Sequence, residues 1–173
     1  MTQKKTASEN FQIRTQVLIR GGDINPATTA TDKVVEINSS LSQAQEWTDY
    51  WKNLAKQYKL VKIELVYSSF VEGNTDKGQI VLGQIEEDAA APTSWNNYIE
   101  SHWFNPNVKH FHAGRRTVRV PIDLTADQKG WQDKGDDSET LFRWWYGLYN
   151  HEYTASYDVG SVEIEITLDI KKW

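Results

Sequence analysis

Long stretches of this chain alternate apolar and polar residues with a period of two, the signature of half-buried β-strands. Phe11, Ile13, Thr15, Val17 and Ile19 share one parity, with Gln12, Arg14, Gln16 and Arg20 opposite, until Gly21-Gly22-Asp23 signals a turn. Asn25–Asp32 reads as a loop and Val34–Asn38 as a short second strand. Trp47, Tyr50, Trp51, Leu54, Ala55 and Tyr58 then follow helical spacing, with Ser42 and Gln45 as a capping box. The helix runs directly into Lys59–Tyr67, where Val61, Ile63, Leu65 and Tyr67 face one way and Lys62 and Glu64 the other. Gln79–Ile85, Val108–His112, Thr117–Ile122 and Leu141–Tyr149 are further strands. Trp95, Tyr98, Ile99 and His102 predict a short helix capped by Thr93 or Ser94. Leu124–Thr140, polar with two glycines and five acids, reads as a long loop. The strictest strand comes last: Val162, Ile164, Ile166, Leu168 and Ile170 alternate with Glu163, Glu165, Thr167, Asp169 and Lys171.

About eight strands, one main helix and no recurrent βαβ rhythm predict an all-β, antiparallel architecture. A chain of 173 residues is the size of one domain. We expect residues 1–10 to form a short polar segment and 11–173 a single sandwich, an eight-stranded jelly roll or a relative of it.

Composition narrows the chemistry. No cysteine is present, which excludes disulfides, thiolate metal sites and cysteine nucleophiles. The net charge of -5 argues against a surface wholly devoted to gripping nucleic acid. No run approaches the ~18 apolar residues of a membrane-spanning helix, and no membrane partner is expected. Met1–Lys5 is followed by no apolar stretch, so no secretory signal is expected. Eight Trp and eight Tyr stand against a single Met.

The order of elements resembles the coat proteins of small icosahedral viruses, both circular single-stranded DNA viruses and tombusvirus-like RNA viruses. In those proteins an aromatic-bearing helix leads into the third jelly-roll strand. Here Trp47 and Leu54 occupy the apolar helix positions, and Gln57-Tyr58-Lys59-Leu60 the passage into the strand. Gly160-Ser161-Val162-Glu163-Ile164-Glu165-Ile166 is similar to their last strand. Between them, Glu87-Asp88, Pro92-Thr93-Ser94-Trp95 and Val108–Pro121 echo the middle of the domain. The likeness runs from Val34 to Trp173. It implies a jelly roll with one helix before the third strand and a short helix in a long loop. It further implies a structural protein that assembles with itself into an icosahedral shell around a small genome, located in the virion and, during assembly, in host cytoplasm or nucleus. Such coats usually begin with a long basic arm. Met1–Gln16 holds only Lys4, Lys5 and Arg14 against Glu9, so weak, salt-sensitive binding of single-stranded nucleic acid is expected.

Several constellations are candidates for chemistry. Asp133, Asp136, Asp137 and Glu139, with Asp127 upstream, supply the oxygen ligands that calcium prefers, and the resemblance makes Ca2+ between subunits an expectation. The plain alternative is a solvated acidic loop. Arg115, Arg116 and Arg119, together with Lys4 and Lys5, are the nucleic-acid candidates, because guanidinium forks match phosphate; pairing with the surplus acids is the alternative. His110 and His112 share a strand face, with His102 elsewhere, short of the three or four ligands zinc wants. Glu163 and Glu165 share a face as the paired carboxylates of sandwich glycosidases do, but no nucleophile, metalloprotease or P-loop motif accompanies them. We expect no enzyme. Trp131 and Trp173 fall outside strand alternation or at its end and are the expected interface anchors. The competing reading is a carbohydrate-binding sandwich that stacks sugars on Trp131, Trp144, Trp145, Tyr146 and Tyr149.

Overall fold

The computed structural model describes residues 12–25, 32–71, 78–86, 89–90, 93–94, 107–149 and 158–172. Its strands are β1 (Gln12–Ile24), β2 (Asp32–Ser40), β3 (Ala55–Ser69), β4 (Gln79–Ile85), β5 (Val108–His112), β6 (Thr117–Ile122), β7 (Gln132–Asp133), β8 (Thr140–Tyr149) and β9 (Gly160–Lys172). One sheet has the order β1-β9-β3-β6, with the two-residue β7 attached to β3. The other runs β2-β8-β4-β5, and every pairing is antiparallel. β1 and β2 pair with β9 and β8, β3 and β4 pair with β6 and β5, and the two double hairpins join through β9:β3 and β8:β4. That wrapping is a jelly roll.

β9 lies at the centre of the first sheet because it can bury one face along its whole length. Val162, Ile164, Ile166, Leu168 and Ile170 are all buried, meeting Ile19, Val17 and Ile13 of β1 on one side and Tyr67, Leu65, Ile63, Leu60 and Tyr58 of β3 on the other. The second sheet closes the core with Ile80, Leu82, Phe111, Phe142, Trp144, Tyr146 and Leu148. β4 and β8 are also apolar on their outer face, where Val81, Ile85 and Trp145 form a smaller cluster with Ala89 and Val108. Burial on both faces explains why QIVLGQI and LFRWWYGLY read as continuous apolar runs.

Four expectations need correction. β1 does not stop at the glycines: it continues to Ile24, with a bulge between Arg20 and Gly22 and a positive φ of 112° at Gly22. A Cβ on Gly21 would lie 2.8 Å from the Val162 carbonyl oxygen and 2.9 Å from Cζ2 of Trp144, so the glycine permits close packing rather than a turn. The helix ends at Leu54; Ala55 already has extended dihedrals (φ -78°, ψ 138°), and Tyr58 reaches the core from a strand. The helical residues comprise a wide turn over Trp47–Trp51 followed by Lys52–Leu54. The capping pair is Ser40 with Gln43, whose side chain accepts the Ser40 amide at 3.1 Å, while Gln45 donates to Asp49. Finally, the 124–140 segment is not one loop, since it contains β7 and a 3-10 helix at Lys134–Ser138. The helix expected over Trp95–His102 lies outside the described residues, as do residues 1–11.

A second bulge, between Leu60 and Lys62, reverses the inward parity of β3. Tyr58 and Leu60 precede it; Ile63, Leu65 and Tyr67 follow it. The antiparallel registers bring the β2–β3 and β6–β8 connections, the end of β4 and the start of β5 to one end of the sandwich, with Gln12 and Lys172 beside them. The 113–116 turn and the end of β3 lie at the other.

Candidate functional site

The outer face of the first sheet is built in cross-strand rows. Arg14, Asp169 and Lys59 form one; Leu18, Glu165, Glu64 and Pro121 another; Arg20, Glu163, Val66 and Arg119 a third. Its carboxylates are mostly engaged. Arg14 donates to both oxygens of Asp169 at 2.8 and 3.0 Å, which leaves Asp169 only 8% exposed. Glu64 and Glu165 face each other across β3 and β9, a like-charge pair that is unfavourable alone. Arg119 bridges them, at 2.6 Å to Glu165 and 3.4 Å to Glu64, and Lys62 adds a further ion pair to Glu64. The Lys62 hydrogen bond, opposed by burial and reinforced by Arg119, holds the Glu64 carboxyl below its ordinary range. Arg14 does the same for Asp169.

The structure thus separates the predicted cationic residues. Arg119 is spent on the sheet. Arg115 and Arg116 are exposed on the 113–116 turn between β5 and β6, at the opposite end from the acidic segment. Lys4 and Lys5 lie outside the described residues. His110 accepts or donates a 2.8 Å hydrogen bond with Gln79, and burial, aided by His112, lowers its pKa; His102 lies outside the described residues.

The acidic segment is likewise divided. Asp137 is buried, accepting 2.8 Å from Trp47 Nε1 and 2.9 Å from Lys52 Nζ. These bonds tie the 3-10 helix to the helical stretch before β3. Trp47 packs edge-on against Tyr58 at 5.1 Å, and the Tyr58 hydroxyl donates to Gln132. Burial, then the charges of Asp137, Asp136 and Glu139, push the Tyr58 hydroxyl up to about 12. Asp133 accepts from Gln57. Asp127, Asp136 and Glu139 line a shallow depression of about 250 Å³. Among the described residues no group of three or more His, Asp or Glu is arranged to hold a metal ion.

Of the expected anchors, Trp131 is half-buried at the end of the sandwich where Lys171 pairs with Gln12. Lys171 Nζ lies 4.1 Å from its ring centroid and Lys59 Nζ 5.4 Å. Trp173 lies outside the described residues. The sugar platform does not exist as drawn: Trp144, Trp145 and Tyr146 are buried, and no sugar can reach their faces. Among the described residues, the exposed large apolar side chains are Tyr50 (58%), Phe70 (58%) and Leu18 (43%). Tyr50 belongs to the helically spaced series from Trp47, and Phe70 is the residue after β3.

No protein-family model matches the chain, and no curated protein matches its sequence. Its fold does have counterparts. A chain of mud crab tombus-like virus superposes with a TM-score of 0.67 at 14% identity, covering 99% of this chain and 94% of that one. The fold is shared with chains of solved virus structures. Cocksfoot mottle virus (TM-score 0.64, 9% identity, 94% of this chain and 96% of that one) and tobacco necrosis virus (0.62, 13%, 94% and 95%) are similar in the same way. Nearly all of the chain takes part in each likeness, and the jelly roll expected from the sequence is the fold observed.

Proposed function

We propose that the chain is a viral coat protein whose copies assemble into a closed, symmetric shell. The observation that carries this reading is the complete β1-β9-β3-β6 and β2-β8-β4-β5 wrapping, which superposes nearly end to end on chains of virus particles. One such neighbour comes from a semi-empty virus-like particle of a prawn nodavirus. Function at this identity rests on the fold and on the surface. The surface agrees: Tyr50 and Phe70 leave large rings in solvent at opposite ends of the 15-residue β3, where contacts with neighbouring copies bury them. The work is structural rather than catalytic. Glu165, one of the two carboxylates that suggested glycosidase chemistry, is locked to Arg119.

In this reading any cation between copies is calcium shared by carboxylates of two subunits, because the described carboxylates of one subunit do not form a site of three or more ligands by themselves. Asp137 takes no part, because it is buried against Trp47 and Lys52 of its own subunit. Nucleic acid is a weak partner, with Arg115 and Arg116 as the exposed guanidinium pair.

Light scattering on the purified protein tests the reading. Particles far larger than a subunit are expected, loosened by a divalent-cation chelator at raised pH, with Asp136→Asn removing the chelator response. A protein that stays monomeric with and without calcium, and is retarded on a polysaccharide gel, contradicts it.

A further inference from the structure

The second sheet ends on an edge strand that carries two histidines. β5 is the last strand in the order β2-β8-β4-β5, and its residues alternate: Phe111 is buried opposite Ile80, while His110 and His112 are exposed on the outer face. Residues i and i+2 of a strand share a face and lie about 7 Å apart, so two imidazoles in this arrangement can close on one ion. A third donor reaches the same place from the neighbouring strand. Gln79 of β4 is the cross-strand partner of His112, yet its Oε1 lies 2.8 Å from Nε2 of His110. Gln79 thus spans the two histidines. Ligand atoms about 2.0 Å from a metal and at right angles to each other are about 2.8 Å apart. The observed separation is already that of neighbouring corners of a coordination square. Burial, and then the charge of His112, lowers the pKa of His110. Its ring is therefore neutral at neutral pH, as a metal-ligating imidazole must be.

The donor set selects the metal. Two nitrogens and an amide oxygen fall short of the protein ligands zinc usually takes, and calcium and magnesium prefer oxygen alone. Copper(II) and nickel(II) favour nitrogen with oxygen in a square arrangement, and copper stands highest in the affinity order of first-row dications.

We propose that His110, His112 and Gln79 form a copper(II) site, two imidazole nitrogens and the Gln79 carbonyl oxygen taking three corners of a square and water the fourth. When the ion takes Nε2 of His110, the ring proton resides on Nδ1. A bound ion ties the edge strand β5 to β4. The site goes beyond the coat-protein reading and does not depend on it, since it lies within one subunit. It is separate from the acidic segment, because His112 leads into the 113–116 turn at the other end of the sandwich. The two histidines stand together in the sequence; Gln79 joins them only through the β4:β5 register.

The test titrates the full chain with copper(II) at neutral pH, with glycine as a competing ligand, and reads the heat and the electron paramagnetic resonance spectrum. One ion per chain is expected, its spectrum split by two imidazole nitrogens. His110→Ala and His112→Ala should each weaken binding about 10-fold or more, since even the outer-shell partners of a metal site are worth that much. Gln79→Ala should weaken binding less and shift the spectrum while keeping both nitrogens. Circular dichroism melts check that each variant folds. A protein with both His110→Ala and His112→Ala that binds copper as tightly as wild type overturns the proposal, because other donors of the chain then hold the ion. So does a wild-type spectrum with a single nitrogen ligand, or a Gln79→Ala protein indistinguishable from wild type. One ion per two chains overturns it as well, because the ion is then shared between copies. Particle formation by the double variant that has lost copper supports the site and leaves the coat reading standing.

Discussion

At the scale of single residues, the charged side chains do more for order than their exposure suggests. Asp137 is the clearest case, since it satisfies the indole N–H of a fully buried tryptophan and an ammonium group at once. Asp137→Ala strands the Trp47 donor in the core and should cost about 1–3 kcal/mol. Asp137→Asn keeps an acceptor for Trp47 and should cost less; urea melts of the two variants read the difference. The outer-face carboxylates set the acid behaviour. Glu64 and Asp169 have their folded pKa values depressed, by Lys62 and Arg14 first of all. A depressed carboxylate contributes stability above its unfolded pKa, and that contribution is lost as pH falls through the folded value. Stability should therefore be level from neutral pH down to about 4.5, the ordinary carboxylate range, and fall below it. A protein with both Glu64→Gln and Asp169→Asn should show a flatter acid limb in denaturant melts taken between about pH 5 and 2.

At the scale of elements, what could be read from the sequence was whatever had one wet and one dry face. β9 is legible because Glu163 and Thr167 face water while Ile164 and Ile166 face the core, and a slip of one residue would exchange them. Ile166→Ala, at a position with no solvent exposure, should cost about 2–5 kcal/mol in chemical melts. Bulges were not legible. Lys62 and Glu64 continue the alternation of Val61 and Ile63, so nothing in the pattern announces that Tyr58 and Leu60 face inward with the opposite parity. The Gly21-Gly22 pair looked like a turn because glycine serves turns and bulges for the same reason, freedom from a Cβ. The distinction lies in Trp144 and Val162, distant in sequence, which fill the space beside Gly21. Gly21→Ala should destabilise by about 1–3 kcal/mol through overpacking, with a matching drop in the melting midpoint. The helix end was misplaced because Ala55 and Tyr58 also satisfy helical spacing. The candidate sites were legible in their residue types but not in their assembly. Asp137 and Arg119 turned out to be committed within the fold, while Lys59 and Lys171 acquired a shared partner, because cross-strand and loop contacts decide who meets whom.

At the scale of the molecule, the wrapping of the two sheets is what gives the chain its use. Two double hairpins joined at β9:β3 and β8:β4 make a block with strand ends at both of its ends. A rigid block with loops at its ends is suited to repeated contacts related by symmetry, and such contacts close a shell only if each copy offers complementary surfaces. The exposed Tyr50 and Phe70 lie on the chain flanking β3, at its two ends, and the acidic depression lies at the end shared with Tyr50. Together the contacts on one subunit should bury well over the ~1,600 Å² of a single ordinary interface. Cryo-electron microscopy of the purified protein, in calcium at neutral pH, addresses this most directly. The account predicts hollow, closed particles of uniform size in which each subunit is this jelly roll and Tyr50 and Phe70 are covered by neighbours. A field of monomers or small open oligomers, with both rings in solvent, would contradict it.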